Sequence, residues 1–294
     1  GDVVLAPMDG YSDWPFRSLC RALGSAMSYT EFVKVEKILS RSKEPAKRLY
    51  YEEAERPVTF QIYGDDPDLI LKAALRVQEL NPDIIDINMG CPAKSIADRG
   101  AGVGLMLTPL KIARTFKKLT AALRMPVTGK FRLGWDRNKN YKLIARIVEE
   151  NGARLIAVHG RTRLQGYSGQ ADWEAIAEIK DTVSIPVIAN GDVSCVADIE
   201  RIKAETGCDG VMIGRATIGT PRIFSRLGRD QEAHVHVDRR RVRVPRVQHQ
   251  RYAHRLERAT GELRARRGRR RGQPLAPDPG AIHSAALDHA PPLD

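Results

Sequence analysis

The chain has 294 residues, 42% of them hydrophobic, with 48 Lys+Arg against 36 Asp+Glu for a formal charge of +12. That length supports one large α/β unit plus an appendage, and the charge by itself fits a polyanionic partner and a merely solvated basic surface about equally well. The four cysteines, Cys20, Cys91, Cys195 and Cys208, lack CxxC spacing and no apolar run approaches membrane-spanning length, so a metal site, a disulfide framework and a membrane span are not expected, and a reducing cytoplasm is.

The chain opens at Gly1, almost inside its first apolar run, Val3-Val4-Leu5-Ala6-Pro7-Met8, and residues are expected to precede it. Ser28-Tyr29-Thr30-Glu31-Phe32-Val33 comes second and Pro57-Val58-Thr59-Phe60-Gln61-Ile62 third. Residues 66–80 begin with an acid and a proline, both helix-start signals, and lead to Ile84-Ile85-Asp86-Ile87-Asn88. Pro109 to Leu123 sets Ile112, Phe116 and Leu119 on one helical face before Pro126-Val127-Thr128-Gly129-Lys130-Phe131. Helical patterns over 141–150, 173–179 and 196–203 separate Leu155-Ile156-Ala157-Val158-His159, Pro186-Val187-Ile188-Ala189-Asn190 and Gly210-Val211-Met212-Ile213-Gly214. Continuous apolar strands alternating with helices imply a parallel sheet covered by helices. Eight such units in about 220 residues predict an α/β fold of the closed (β/α)8 TIM-barrel type over residues 1–226. A doubly wound open sheet is disfavoured because polar residues cluster at the C-terminal tip of nearly every run.

Past Gly228 the composition changes. Residues 229–294 hold no lysine, one tyrosine and six of the seven histidines, and the stretch 229–271 carries fifteen arginines against five acids. Apolar periodicity is weak, so 227–294 is read as an atypical Arg-rich segment. One reading is a disordered RNA-binding tail. The preferred one is translation in a shifted reading frame of a GC-rich gene, which re-sequencing of the 3′ half tests.

In a barrel the C-terminal strand ends converge on one mouth, so the residues at the tips of the runs form the candidate site. These are Ala6, Pro7 and Met8; Gln61; Asn88 and Cys91; Lys130 and Arg132; His159, Gly160, Arg161 and Thr162; Asn190, Gly191 and Asp192; Gly214 and Arg215. Amides, a lysine and a histidine suit the polar edge of a flavin ring, and the glycine turns on the last two strands suit a phosphate. Cys91 places a thiol just past the end of a core strand, where loops carry chemistry. The glycine-rich Arg99-Gly100-Ala101-Gly102-Val103-Gly104 behind it is expected to pack against a flat or phosphorylated ligand. Plainer readings stand beside these. Cys91 also fits an inert packed thiol, and His159 taken alone reads better as a satisfied core histidine. Lys130 and Arg132 alternate on a strand, which leaves one of them open to facing solvent or a helix. Asn190-Gly191-Asp192 is also a generic turn signal. Met89 and Met212 are read as core, and Cys20, Cys195 and Cys208 as structural.

Leu5-Ala6-Pro7-Met8, Asp86-Ile87-Asn88-Met89-Gly90-Cys91-Pro92, Val158-His159-Gly160-Arg161-Thr162-Arg163 and Ala189-Asn190-Gly191-Asp192 occur in order between about Val3 and Phe224. On these residues the chain resembles the tRNA-dihydrouridine synthase family. The N-x-G-C-P segment together with H-G-R-T-R is highly specific, and Thr30-Glu31-Phe32-Val33-Lys34-Val35 leans toward the bacterial C-type subfamily. The resemblance implies an FMN-dependent enzyme that reduces D-loop uridine in tRNA with NADPH. It implies Cys91 as the general acid at uracil C5, opposite hydride delivery from the flavin to C6. Lys130 and His159 are then expected at the flavin ring or ribityl chain, Gln61 at its pyrimidine edge, and Ala6, Pro7 and Met8 beneath it. Asn190, Gly191, Gly214 and Arg215 are expected around the cofactor phosphate, and Asp192 among the cofactor-binding residues. Asn88, Lys94, Arg132, Arg161 and Thr162 fall on the uridine and tRNA side, where the target base must leave its stack. Family members carry a C-terminal helical domain that helps grip tRNA, and the Arg-rich segment lacks that pattern. A monomer is expected. The rival readings are an FMN barrel oxidoreductase acting on a free pyrimidine and a non-catalytic RNA-binding protein without flavin.

Overall fold

The computed structural model describes residues 2–227. The Arg-rich segment, and with it the assignment of residues past 227 to a frameshift or a disordered tail, lies outside the described residues.

Strands β1 (Val3–Leu5), β2 (Ser28–Tyr29), β3 (Val33–Lys34), β4 (Val58–Tyr63), β5 (Ile84–Met89), β6 (Val127–Arg132), β7 (Ile156–His159), β8 (Val187–Asn190) and β9 (Gly210–Ile213) form one parallel sheet. Its order is β1-β9-β8-β7-β6-β5-β4-β2, with β3 also paired to β4. Two hydrogen bonds bridge the seam between the ends of that path. The Ala26 N–H donates to the Val3 carbonyl at 2.8 Å and the Leu5 N–H to Ser25 Oγ at 3.1 Å. The result is the expected (β/α)8 barrel, nearly closed, with one strand in two pieces. Tyr29 pairs with Thr59 and Val33 with Ile62, so four steps along one strand match three along the other. The extra residue is a bulge, and Thr30 repairs the ladder there by accepting the Gln61 N–H on its hydroxyl at 3.1 Å.

The helices are α1 (Trp14–Ala22), α2 (Val35–Leu39), α3 (Glu44–Arg48), α4 (Pro67–Val77), α5 (Lys94–Ala97), α6 (Pro109–Ala122), α7 (Tyr141–Glu150), α8 (Trp173–Lys180), α9 (Val196–Thr206) and α10 (Ala216–Gly219). Local chemistry sets their ends. The Asp66 side chain caps α4 by accepting from the Asp68 and Leu69 N–H groups at 2.8 and 2.9 Å, with Pro67 in the first turn. Ile112, Phe116 and Leu119 are the buried face of α6, as the spacing predicts.

The strands are buried on both faces, with different chemistry on each. Val58, Phe60, Ile62, Ile85, Ile87 and Met89 pack outward into the main core under the helices. Full burial of such side chains is worth roughly 1.5–3 kcal/mol each, which is why this layer holds the barrel together. Inside the barrel, Val4, Ala6, Tyr29, Ala157, Ile188 and Met212 form a small apolar cluster. The rest of the interior is polar and fully buried, with Thr59, Gln61, Asp86 and Thr128 on neighbouring strands. Register then aligns Arg132, His159, Asn190 and Met212 as partners across β6 to β9, and Asn88 with Lys130 across β5 and β6.

Candidate active site

That aligned row opens into a cleft of about 1440 Å³ at the C-terminal ends of the strands. A single small ligand usually occupies roughly 300–1,000 Å³, so the cleft has room for a cofactor and a base together. Ala6, Pro7, Met8, Asn88, Cys91, Lys130, Arg132, His159, Asn190, Gly191, Asp192, Gly214 and Arg215 all line it. Lys130 and Arg132 both face it, because residues two apart on a strand share a face. His159 is on the wall too, though largely buried.

Five expected residues are not on that wall, among them Gly160, whose N–H donates to the Asn190 carbonyl at 3.0 Å. Gln61 lies fully buried, its Nε2 donating to Asp86 at 2.8 Å and its Oε1 accepting from Asn88 Nδ2 at 2.9 Å. Lys94 is exposed at the start of α5. Arg161 is 2% exposed and serves the protein itself. It donates to the Ser168 carbonyl at 3.1 Å, the Gly169 carbonyl at 2.5 Å and the Asp192 carboxylate at 2.7 Å, tying the loop after β7 to the loop after β8. Thr162 is buried, and its N–H donates to Gln165 Oε1 at 2.8 Å within a tight turn.

The glycine-rich turn behind Cys91 packs on the protein and does not line the cleft. Gly102 sits at φ +54°, where a Cβ would lie 2.8 Å from the Cys91 carbonyl oxygen and 3.1 Å from Cys91 Cβ. The Val103 N–H donates to that same carbonyl at 3.2 Å. The turn is therefore a backrest for the thiol loop, and its glycines are needed for close backbone approach.

Electrostatics follow from burial. The Cys91 N–H donates to Asn88 Oδ1 at 2.9 Å, and the Gly90 N–H shares that oxygen at 3.1 Å. Burial pushes the Cys91 thiol above its ordinary value, so it is protonated at neutral pH. Burial, with the neighbouring charge of Arg132, brings Lys130 down to about 8, and its Nζ donates to Asn190 Oδ1 at 3.1 Å. Burial lowers Arg132 to about 10. Its guanidinium donates to the carbonyls of Gly90 at 3.0 Å, Thr162 at 2.9 Å and Gly166 at 2.8 Å. Burial, reinforced by Arg132, Lys130, Arg161 and Arg215, holds His159 far below the imidazole range, so it is neutral. Burial raises Asp86 to about 6, against the bonds from Thr128 and Gln61 and the charge of Lys130.

At the other end of the row, Gly191 (φ +130°) and Gly214 stand beside Arg215, and α10 follows at once. Loops after the last two strands with a short added helix are the usual phosphate-binding arrangement of such barrels. Asp192 turns its carboxylate toward Arg161 and the Ala171 N–H, with Arg215 3.4 Å away.

Sequence reasoning missed three residues. Tyr167, 59% exposed between Gly166 and Gly169, carries Arg215 at 4.8 Å and Arg132 at 5.5 Å over its ring and lines the cleft. A lone aromatic in a glycine-bounded loop past His159 was the available signal. Arg163 lies 4.1 Å over the Trp135 ring and 3.1 Å from Asp98, clasping the loops after β5, β6 and β7. Asp86 was quoted as part of a motif but given no role. A charged residue in an apolar run, two before Asn88, has to point the same way into the barrel. Of the cysteines read as structural, Cys20 and Cys208 are buried but Cys195 is exposed, because it precedes α9 on the rim. Met89 is core, whereas Met212 is buried yet also lines the cleft.

Among the described residues no group of His, Cys, Asp or Glu has the arrangement to hold a metal ion, and no helix is long and apolar enough to cross a membrane. Residues 4–270 match the dihydrouridine synthase family model, a span that runs past the last described residue. Similar proteins include tRNA-dihydrouridine synthase B of Pseudomonas aeruginosa, 43% identical over 226 residues, with 76% of this chain and 68% of the relative covered. The corresponding synthase B of Xanthomonas axonopodis is 40% identical, covering 76% and 68%. Both relatives carry the letter B, so they lend no support to the C-type leaning. Among solved structures, histamine dehydrogenase from Rhizobium sp. 4-9 superposes with a TM-score of 0.60 at 12% identity, covering 77% of this chain and 45% of that one, a likeness of fold.

Proposed function

The chain belongs to the dihydrouridine synthase family, and from that premise we propose that it is a flavin-dependent oxidoreductase reducing uridine in tRNA to 5,6-dihydrouridine. We take the flavin to be FMN, the reductant NADPH, and the enzyme a cytoplasmic monomer.

The residues present fit such a group. Lys130, Arg132 and Arg215 are cations along one wall, His159 is a neutral hydrogen-bonding partner, and Ala6, Pro7 and Met8 provide an apolar floor. Asp192 beside Arg215 is already paired with Arg161, so it does not oppose a phosphate there. When bound, the flavin supplies hydride to uracil C6. Cys91 holds the proton that C5 receives, and its raised thiol keeps that proton without any activating base. Lys130 and Asn190, bonded to each other, orient the ring, and Arg132 holds the Cys91 loop at Gly90 against the loop after β7. Tyr167 offers an aromatic face to a base drawn out of its stack, and Lys94 on the rim meets phosphates. Gln61, Arg161 and Thr162 act from behind the wall by holding the residues that reach it.

The observation that carries this reading is one cleft shared by a protonated thiol, a cation row and a floor of small and sulfur-bearing residues. A visible spectrum of the purified protein tests it first, with flavin bands expected. Reduced flavin should then be reoxidised anaerobically by tRNA lacking dihydrouridine and not by free uridine. Equal turnover of free uridine points to the small-molecule oxidoreductase instead. A colourless, folded protein that binds tRNA points to the non-catalytic reading.

A further inference from the structure

Behind the cleft wall, Asp86, Gln61 and Asn88 form a chain of hydrogen bonds that ends on the Cys91 loop. Asp86 on β5 faces Gln61 on β4 and Thr128 on β6 at the same level of the barrel. Its carboxylate accepts from Thr128 Oγ1 at 2.6 Å and from Gln61 Nε2 at 2.8 Å. Gln61 Oε1 accepts from Asn88 Nδ2 at 2.9 Å, and Asn88 Oδ1 accepts from the Gly90 and Cys91 N–H groups. All three side chains are at most 6% exposed. The remaining groups facing Asp86 are the phenol of Tyr29 and the ammonium of Lys130.

Both ends of this chain demand the same polarity. Two backbone N–H groups have to meet an oxygen, and an ionised carboxylate has to meet donors. Between those ends, each amide has one orientation that satisfies both neighbours. Reversing Gln61 would set its NH₂ against the NH₂ of Asn88. Reversing Asn88 as well would set that NH₂ against the two N–H groups of the thiol loop. Buried donors facing donors are costly, so the acceptor at position 86 and the two N–H groups of the thiol loop together hold the chain in one direction.

We propose that Asp86 is a positioning residue for Cys91, a buried acceptor that helps hold the direction of the Asp86–Gln61–Asn88 chain and so fixes the backbone carrying the thiol. It rests on Cys91 being the proton donor. The chain also predicts its own repair. Asp86→Asn removes the obligatory acceptor. Asp86→Asn combined with Gln61→Glu moves the carboxylate one position along and restores the original direction, because the introduced carboxylate accepts from the introduced amide on one side and from Asn88 on the other.

The test uses the full-length, flavin-loaded protein and two readouts. The first is the rate of Cys91 alkylation by iodoacetamide, followed by peptide mass mapping against the exposed Cys195 of the same molecule. The second is anaerobic reoxidation of reduced flavin by tRNA. Asp86→Asn should change the Cys91 to Cys195 ratio at least threefold and slow the tRNA step roughly tenfold, equivalent to losing one or two net hydrogen bonds. The double variant should return the alkylation ratio to that of the unmodified protein. An unchanged ratio in Asp86→Asn, or a double variant that does not restore it, overturns the proposal. Should Asp86→Asn fail to fold, the double variant decides alone by the same criterion. Failure of the proton-donor reading looks different. In that case Cys91→Ala leaves the tRNA step unchanged, while the alkylation ratios still respond to position 86.

Discussion

At the scale of the residue, Cys91 combines exposure to the cleft with burial enough to keep its proton. Removing a positioned proton donor typically costs 10²–10⁴-fold. Cys91→Ala should therefore keep bound flavin and its reduction by NADPH, yet slow uridine reduction about 100-fold or more in single-turnover experiments. A rate on intact tRNA equal to that of the unmodified enzyme would remove Cys91 from the chemistry. Tyr167 supports a second prediction. Its exposed ring is held by two arginines. Loss of one stacking face is worth about 1–3 kcal/mol, so Tyr167→Ala should raise KM for tRNA about tenfold while leaving flavin reduction by NADPH unchanged. Equal effects on both half-reactions would mean the ring supports the flavin site itself.

At the scale of the element, the loop after β5 is the feature on which the site turns. It is pinned from three sides, by Asn88 within its own strand, by Arg132 from β6, and by the glycine-rich turn before α6. Gly102 is where that turn meets the Cys91 backbone. Gly102→Ala adds a Cβ 2.8 Å from the Cys91 carbonyl at a left-handed backbone position. Strain of this kind is on the order of 1–3 kcal/mol, and the loop has to shift to relieve it. The variant should unfold at lower denaturant and alkylate at Cys91 with a changed rate, while retaining flavin absorbance. Unchanged stability together with unchanged alkylation would show that the turn has room to spare. The bulge between β2 and β3 is the other element-scale device. It leaves Thr30, not a backbone carbonyl, to satisfy Gln61.

At the scale of the whole molecule, the barrel concentrates polar groups where its own closure excludes water, and that arrangement has a pH signature. Lys130 has an ordinary value of 10.5 and a folded value of about 8, lowered chiefly by burial. Between those values the folded state binds fewer protons than the unfolded chain, so stability rises with pH across that window. In flavin-free protein, Lys130→Met should melt higher than the unmodified chain below pH 8, and this advantage should fade as pH approaches 10.5. A constant difference across that range would show that the lysine is not buried as a cation. Charge distribution belongs to this scale too. Residues 229–294 contribute fifteen arginines against eight acids, so more than half of the +12 comes from outside the described barrel. Taken by itself, the amino-acid sequence determined the alternation of apolar runs and helices, the convergence of strand tips on one mouth, and the thiol in Asn88–Pro92. Periodicity and motif chemistry are local, carried by neighbours a few residues apart. The tertiary structure alone decided which tip residues reach the cleft. Arg161 and Gln61 sit at strand tips like the others, yet their partners lie 31, 25 and 27 residues away, at Asp192, Asp86 and Asn88. A side chain is drawn behind the wall or left upon it by which acceptors barrel closure brings within reach, and that depends on strand register and shear, which no local pattern encodes.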